Sequence, residues 1–190
     1  MSLRILSILV CTSLGLNSSD LMSPKSFECV ISSLKKTYSI GETPQITVSI
    51  KNNTKKDVYL IGSLDGSEEK WRSPLCYFKI DSPSKHKAPT VGRCGNMNSL
   101  KETDFVWVKS GETFNPYQEG FFSSYEIARV ENFQKTGRYK ITFFYSTKSD
   151  DMATYFGDDN GASKKAIKKR FAQVPHFELK SNTIEIEMIQ

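Results

Sequence analysis

Residues capable of catalysis are sparse in this sequence, and none of them falls in a recognised catalytic motif. Histidine occurs only at His86, in SPSKHKAP, and at His176, in VPHFEL. The chain contains neither a His-Glu-x-x-His metallopeptidase motif nor a Gly-x-Ser-x-Gly nucleophile elbow. Asp65, Glu68 and Glu69 are carboxylates of the type that glycoside hydrolases pair, but charges in a turn segment are usually only solvated. We therefore predict a non-catalytic protein and keep a hydrolase as a remote alternative.

The cysteines are expected to form a disulfide rather than a metal site. Cys76 and Cys94 enclose a loop rich in Pro, Ser and Lys, and after export we expect them to form a disulfide. Closing such a loop stabilises a protein by about 3 kcal/mol. Cys29 alternates with Phe27 and Ile31, so we expect a buried free thiol, with pairing to one of the other two cysteines left open. No closely spaced Cys or His pair is present to hold zinc, and we predict no metal and no cofactor.

The first residues have the pattern of an export signal. Arg4 precedes an apolar run over residues 5–16 that is too short to span a bilayer, and polar NSSD follows. We predict a signal peptide over residues 1–18 and a protein that is secreted, periplasmic or held in the cell envelope. Two alternatives stay open. One is a buried first strand, and the other is a lipoprotein signal with lipid on Cys11, which bulky Val10 disfavours.

The remainder, residues 24–190, has the strand pattern of a single all-β domain. Twelve Phe and eight Tyr, with many Ile, Val and Thr, favour strands. Apolar and polar residues alternate in TPQITVSIKNNT and again in NTIEIEMI, as they do in strands with one face in the core. Because parallel strands need long crossover connections and most of these segments are joined by turns, we predict an antiparallel β-sandwich.

Tyr139 lies near the start of the penultimate strand, in TGRYKITFFYS. In immunoglobulin-like sandwiches a tyrosine at this place turns its hydroxyl back to the chain just upstream. This segment, with YSIGETPQITVSIKNNTKKDVYL, WVKSGETF and KSNTIEIEM, resembles small secreted bacterial Ig-like sandwich domains. It is also similar to the sandwich that accompanies deuterolysin-type peptidases and, more loosely, to the Ig-like proteinase inhibitor of bacilli. The resemblance implies an Ig-like strand framework and, as an alternative function, a proteinase inhibitor or peptidase-accessory domain. A plain core tyrosine is the other interpretation of Tyr139.

Two inserts lengthen this sandwich, at about residues 62–103 and 148–175. In the first insert Trp71 lies among Glu69, Lys70 and Arg72 rather than in an apolar run. Aromatic and arginine side chains are enriched at binding sites, so Trp71 and Arg72 are candidate binding residues. Packing of Trp71 over the end of the sandwich is the alternative.

The second insert predicts a short helix before the last strand. In GASKKAIKKRFAQV the residues Ile167, Phe171 and Val174 form an apolar stripe, and Pro175 follows it. The preceding GDDNG does not fit a twelve-residue calcium loop, because Phe156 and Ile167 would stand at ligand positions. Asp159 or Asn160, in the same stretch, fits the start of the helix better.

The opposite face of this helix is strongly basic. Its five charges account for the whole formal net charge of +5, so the basicity of the chain is local. These candidate binding residues are Lys164, Lys165, Lys168, Lys169 and Arg170. We expect no nucleic-acid partner, because a nucleic-acid surface interleaves aromatic side chains with basic ones and an exported protein rarely meets DNA. An unidentified protein or an anionic glycan fits export better, with a membrane involved only if Cys11 carries lipid. A solvated helix face is the alternative.

Overall fold

The strands predicted from alternation and the helix predicted from its apolar stripe are present, together with two short strands that were not predicted. The computed structural model describes residues 26–64, 72–83, 100–117, 133–155 and 164–190. Its elements are β1 (Phe27–Ser33), β2 (Thr37–Ser39), β3 (Ile46–Asn52), β4 (Val58–Ile61), β5 (Leu75–Asp81), β6 (Phe105–Val108), β7 (Thr113–Phe114), β8 (Gly137–Ser146), α1 (Lys164–Phe171) and β9 (Glu178–Ile189). Two 3₁₀ turns, Glu102–Asp104 and Met152–Tyr155, complete the set. The fold is an all-β sandwich with one short helix before the last strand, as predicted.

The described strands form three sheets, in the orders β1-β3-β7, β2-β9-β8-β5 and β4-β6. All of these pairs are antiparallel except β2 and β9, which are parallel. The exception arises because the chain changes sheets between β1 and β2. The Leu34 amide still donates to the Gln45 carbonyl beside the first sheet, whereas the Glu187 amide of β9 donates to the Lys36 carbonyl, at 3.0 and 2.8 Å. The predicted antiparallel sandwich is confirmed, and β2–β9 is the parallel exception among the described pairs.

The main core lies between the three-stranded and four-stranded sheets. In β3 the residues Ile46, Val48 and Ile50 are buried, and Thr47 on the opposite face of the strand is exposed. Cys29 is a free, buried thiol in this core, as predicted. Burial raises the pKa of the Cys29 thiol to about 12, so the group is protonated at neutral pH and is a poor nucleophile.

A second, smaller core lies under α1. Ile167, Phe171 and Val174 are buried, which confirms the apolar stripe. They pack against residues of β4, β6 and the neighbouring loops, namely Ile61, Leu64, Leu100, Phe105 and Tyr155. The helix therefore covers the outer face of the β4-β6 sheet.

Buried tyrosine hydroxyls join separate parts of the backbone. The Tyr139 hydroxyl donates to the Lys135 carbonyl at 2.9 Å and accepts from the Lys135 amide at 3.3 Å, which is the upstream contact that its position predicts. Gly137, two residues earlier, has a φ of 125° and lies where a Cβ would stand 3.0 Å from Pro83. Tyr145 makes the same pair of bonds to the Ile61 carbonyl and amide, at 2.7 and 3.2 Å.

Candidate functional site

Arg170 fastens α1 to the rest of the protein. Its Nη2 lies 2.8 Å from Glu102 Oε2, and its Nη1 donates to the Glu102 carbonyl at 2.8 Å. The guanidinium carbon stands 5.6 Å from the centre of the Tyr59 ring, within the range of a cation–π contact. Arg170 is thus engaged on three sides and differs from the free cation that the sequence analysis proposed.

Three of the other basic side chains of α1 face solvent. Lys165, Lys168 and Lys169 are exposed, and none of them forms an ion pair with any residue in the described ranges. We call these three residues the basic ridge. The backbone of Lys164 begins the helix, but its side chain lies outside what the structure describes.

Spacing on the helix places the members of the basic ridge next to one another. Lys165 is three residues before Lys168 and four before Lys169, the two separations that make neighbours on a helix surface. Like charges at such spacings cost a few tenths of a kcal/mol each. Lys165 also lies in the first turn, at the positive end of the helix dipole, where acidic residues are the stabilising choice. The helix therefore concentrates positive charge at some expense to its own stability.

The prediction that Arg72 is a surface binding residue is wrong, because its side chain lies inside the protein. Only 5% of its surface is exposed, and its Nε and Nη2 donate to the Tyr155 carbonyl at 3.1 and 2.9 Å. Burial raises the pKa of the Asp104 carboxyl above its usual value. The nearby charge of Arg72 offsets part of this rise. Arg72 therefore holds the start of β5 against the Met152–Tyr155 turn. Its neighbour Trp71 lies outside the described residues.

An exposed aromatic side chain lies near α1, at a position that was not predicted to be a binding residue. Trp107 on β6 is 44% exposed. Its ring centre lies 4.7 Å from that of Tyr59 on the paired strand β4, with the planes at 63°. Strand alternation contained a signal for this, because Trp107 precedes buried Val108 and therefore lies on the opposite face of β6. We call Tyr59 and Trp107 the aromatic patch.

The remaining candidates form no site within the described part of the chain. His176 is exposed and its Nδ1 donates to the Thr147 carbonyl at 3.0 Å, which fixes the ring against the end of β8. Cys76 is completely buried in the main core, and it is not bonded to Cys29. The predicted Cys76–Cys94 disulfide stays a prediction. Several residues of the sequence analysis fall outside the described ranges, namely Cys11, Asp65, Glu68, Glu69, His86, Cys94, Phe156, Asp159 and Asn160.

The ligand-binding potential of the described residues is otherwise limited. They contain no group of three or more His, Cys, Asp or Glu side chains placed to hold a metal ion. A cleft of about 430 Å³ lies between the starts of β1 and β9, beside Cys29, Glu178 and Lys180. Among the described helices none is long and apolar enough to cross a membrane.

Comparison with known proteins identifies no relative of this chain. No protein-family model, no curated protein and no solved structure matches it. The resemblance to Ig-like, deuterolysin-associated and inhibitor domains therefore stays a prediction.

Proposed function

We propose that this protein is an exported, non-catalytic binding module of Ig-like architecture that holds an anionic protein or glycan on the basic ridge of α1. The observation that carries the proposal is the contrast within one helix. Arg170 is committed to Glu102 and Tyr59, whereas Lys165, Lys168 and Lys169 extend into solvent with no acidic partner among the described residues.

Electrostatics support this reading of the helix. Three adjacent ammonium groups with no acidic partner in the described ranges attract a negatively charged partner, and near an anionic surface each contributes on the order of 1 kcal/mol. The helix carries this charge on a rigid support, because Ile167 and Phe171 anchor it in the second core. A partner therefore meets preformed positive charge on a fixed frame.

Export and Ig-like architecture form the rest of the proposal. The export signal over residues 1–18 supports a location outside the cytoplasm, and the Tyr139–Lys135 contact supports the Ig-like framework. A proteinase inhibitor or peptidase-accessory role rests on the sequence resemblance alone and is the weaker proposal.

A charge-matched pair of triple variants tests the basic ridge. The first variant changes Lys165, Lys168 and Lys169 to Ser, and the second changes Lys36, Lys135 and Lys140, which are exposed on the four-stranded sheet and its turns. Both variants lose the same charge. Binding of the purified proteins to dextran sulfate is measured by calorimetry at two salt concentrations.

We expect the ridge variant to bind at least about tenfold more weakly and the sheet variant to stay within about threefold of the parent. Equal losses in the two variants would mean that net charge alone draws the polymer, and the proposal would then be wrong.

A further inference from the structure

The aromatic patch and the basic ridge are parts of one continuous surface. Trp107 contacts Tyr59, Tyr59 contacts Arg170, and Arg170 is on the flank of α1 that adjoins the β4-β6 sheet. With about 100° between successive residues, Lys169 lies about 100° around the helix from Arg170, on the side away from the sheet. Lys165 stands one turn before Lys169 on the same side. The surface thus runs from an exposed indole through a guanidinium to two ammonium groups.

The geometry of the aromatic patch suits one class of ligand. The ring centres of Trp107 and Tyr59 lie 4.7 Å apart with their planes at 63°, which is an edge-to-face contact, and 44% of Trp107 is exposed. The face of an aromatic ring carries partial negative charge, which attracts the C–H groups on one side of a pyranose ring. An exposed, supported tryptophan is therefore a stacking platform for a sugar.

The neighbouring cations favour a sugar that carries negative charge. Ammonium groups bind carboxylate and sulfate through charge-assisted hydrogen bonds. A polymer that alternates sugar rings with acidic groups matches a surface on which an aromatic ring and cations stand side by side. A flexible anionic peptide or a simple anion would use the lysines and leave Trp107 without a role.

We propose that this surface binds an anionic polysaccharide, with Trp107 stacked on a sugar ring and the basic ridge holding the acidic groups. The inference rests on the proposed function and adds the chemical class of the ligand and a further binding residue. Trp107 acts here as the residue that distinguishes a sugar chain from other polyanions.

Three polymers and two single variants test the role of Trp107. Dextran sulfate and polygalacturonate carry sulfate or carboxylate groups on sugar rings, whereas polyvinyl sulfate carries sulfate on a chain without rings. Trp107→Ala is compared with Leu34→Ala, which removes another exposed apolar side chain, one that is 72% exposed. Trp107→Leu keeps apolar contact with Tyr59 but removes the indole face, and serves as a second variant if the alanine variant folds poorly. Circular dichroism checks the fold of each protein.

We expect Trp107→Ala and Trp107→Leu to bind at least one of the two polysaccharides about tenfold more weakly and to bind polyvinyl sulfate within twofold of the parent. Leu34→Ala is expected to match the parent on all three. The inference is overturned if the parent binds neither polysaccharide, or if the Trp107 variants bind all three polymers as the parent does.

The ridge variant distinguishes a failure of the sugar assignment from a failure of the proposed function. If the ridge variant loses binding and the Trp107 variants do not, only the sugar assignment is wrong. If the ridge variant binds like the parent, the proposed function itself is wrong.

Discussion

At the scale of single residues, buried polar side chains connect parts of the chain that are distant in sequence. Asn52 is completely buried, and its Nδ2 donates to the carbonyls of Lys56 and Val108 at 2.9 and 3.2 Å. Its Oδ1 accepts from the amide and the hydroxyl of Thr54 at 3.0 and 2.7 Å. The amide of Asn52 thereby holds the β3-β4 turn against the end of β6.

Replacement of Asn52 by Ala is expected to destabilise the protein by about 2–3 kcal/mol, because the protein loses the buried bond to the Val108 carbonyl and the part-buried bonds to Lys56 and Thr54. Asn53→Ala is the matched control, since the side chain of Asn53 is exposed and its loss is expected to change the free energy of unfolding by less than about 0.5 kcal/mol. Urea unfolding of both variants measures the difference. Equal midpoints for the two variants would contradict the role given to Asn52.

The same scale shows where inference from sequence ends. Local alternation predicted that Cys29 is buried, and strand position predicted the hydroxyl contact of Tyr139. Arg72 was predicted to be a binding residue because arginine beside an aromatic residue is frequent at binding sites, whereas the carbonyl that it binds belongs to Tyr155, 83 residues away. Partners at such separations have no local signature. Trp107 is the opposite case. Its alternation with buried Val108 is a local signal that predicts an exposed side chain.

At the scale of elements, α1 combines an apolar stripe, one engaged arginine and a free basic ridge. The stripe followed from helical periodicity. The division of the basic residues into Arg170 and the ridge did not, because Glu102 precedes Arg170 by 68 residues. Arg170 therefore contributes chiefly to the docking of the helix, and the proposed binding function falls to the ridge lysines.

Arg170→Ala is expected to lower the free energy of unfolding by about 1 kcal/mol. The ion pair is partly exposed, with a third of the Arg170 side chain in solvent, and so contributes modestly, while the contact with Tyr59 adds packing. Lys169→Ala, on the next position of the same helix, is expected to stay within about 0.5 kcal/mol. Guanidinium unfolding compares the two variants, and a Lys169→Ala loss as large as that of Arg170→Ala would refute the division of roles.

At the scale of the whole molecule, the all-β sandwich could be predicted from the sequence. The path of the chain from one sheet to the other could not. The strand set follows from alternation, but the move of the chain from the first sheet to the second between β1 and β2 depends on contacts with β9. Asn182 of β9 reinforces that junction, since its side chain accepts from the Ile31 amide at 2.8 Å and donates to the Ile31 carbonyl at 3.0 Å. The sandwich is thus closed along one edge, while α1 and the aromatic patch lie on the outer face of the β4-β6 sheet.

The central claim is that the anionic ligand lies on α1 and the adjoining aromatic patch, and a residue-resolved binding map tests it most directly. Amide and indole resonances of the isotope-labelled protein are followed by nuclear magnetic resonance during titration with short dextran sulfate fragments. We predict that the largest shifts fall on α1, on β6 and on the indole N–H of Trp107. Shifts that concentrate on the β2-β9-β8-β5 sheet or at the cleft between β1 and β9, or that spread evenly over all exposed lysines, would contradict the account.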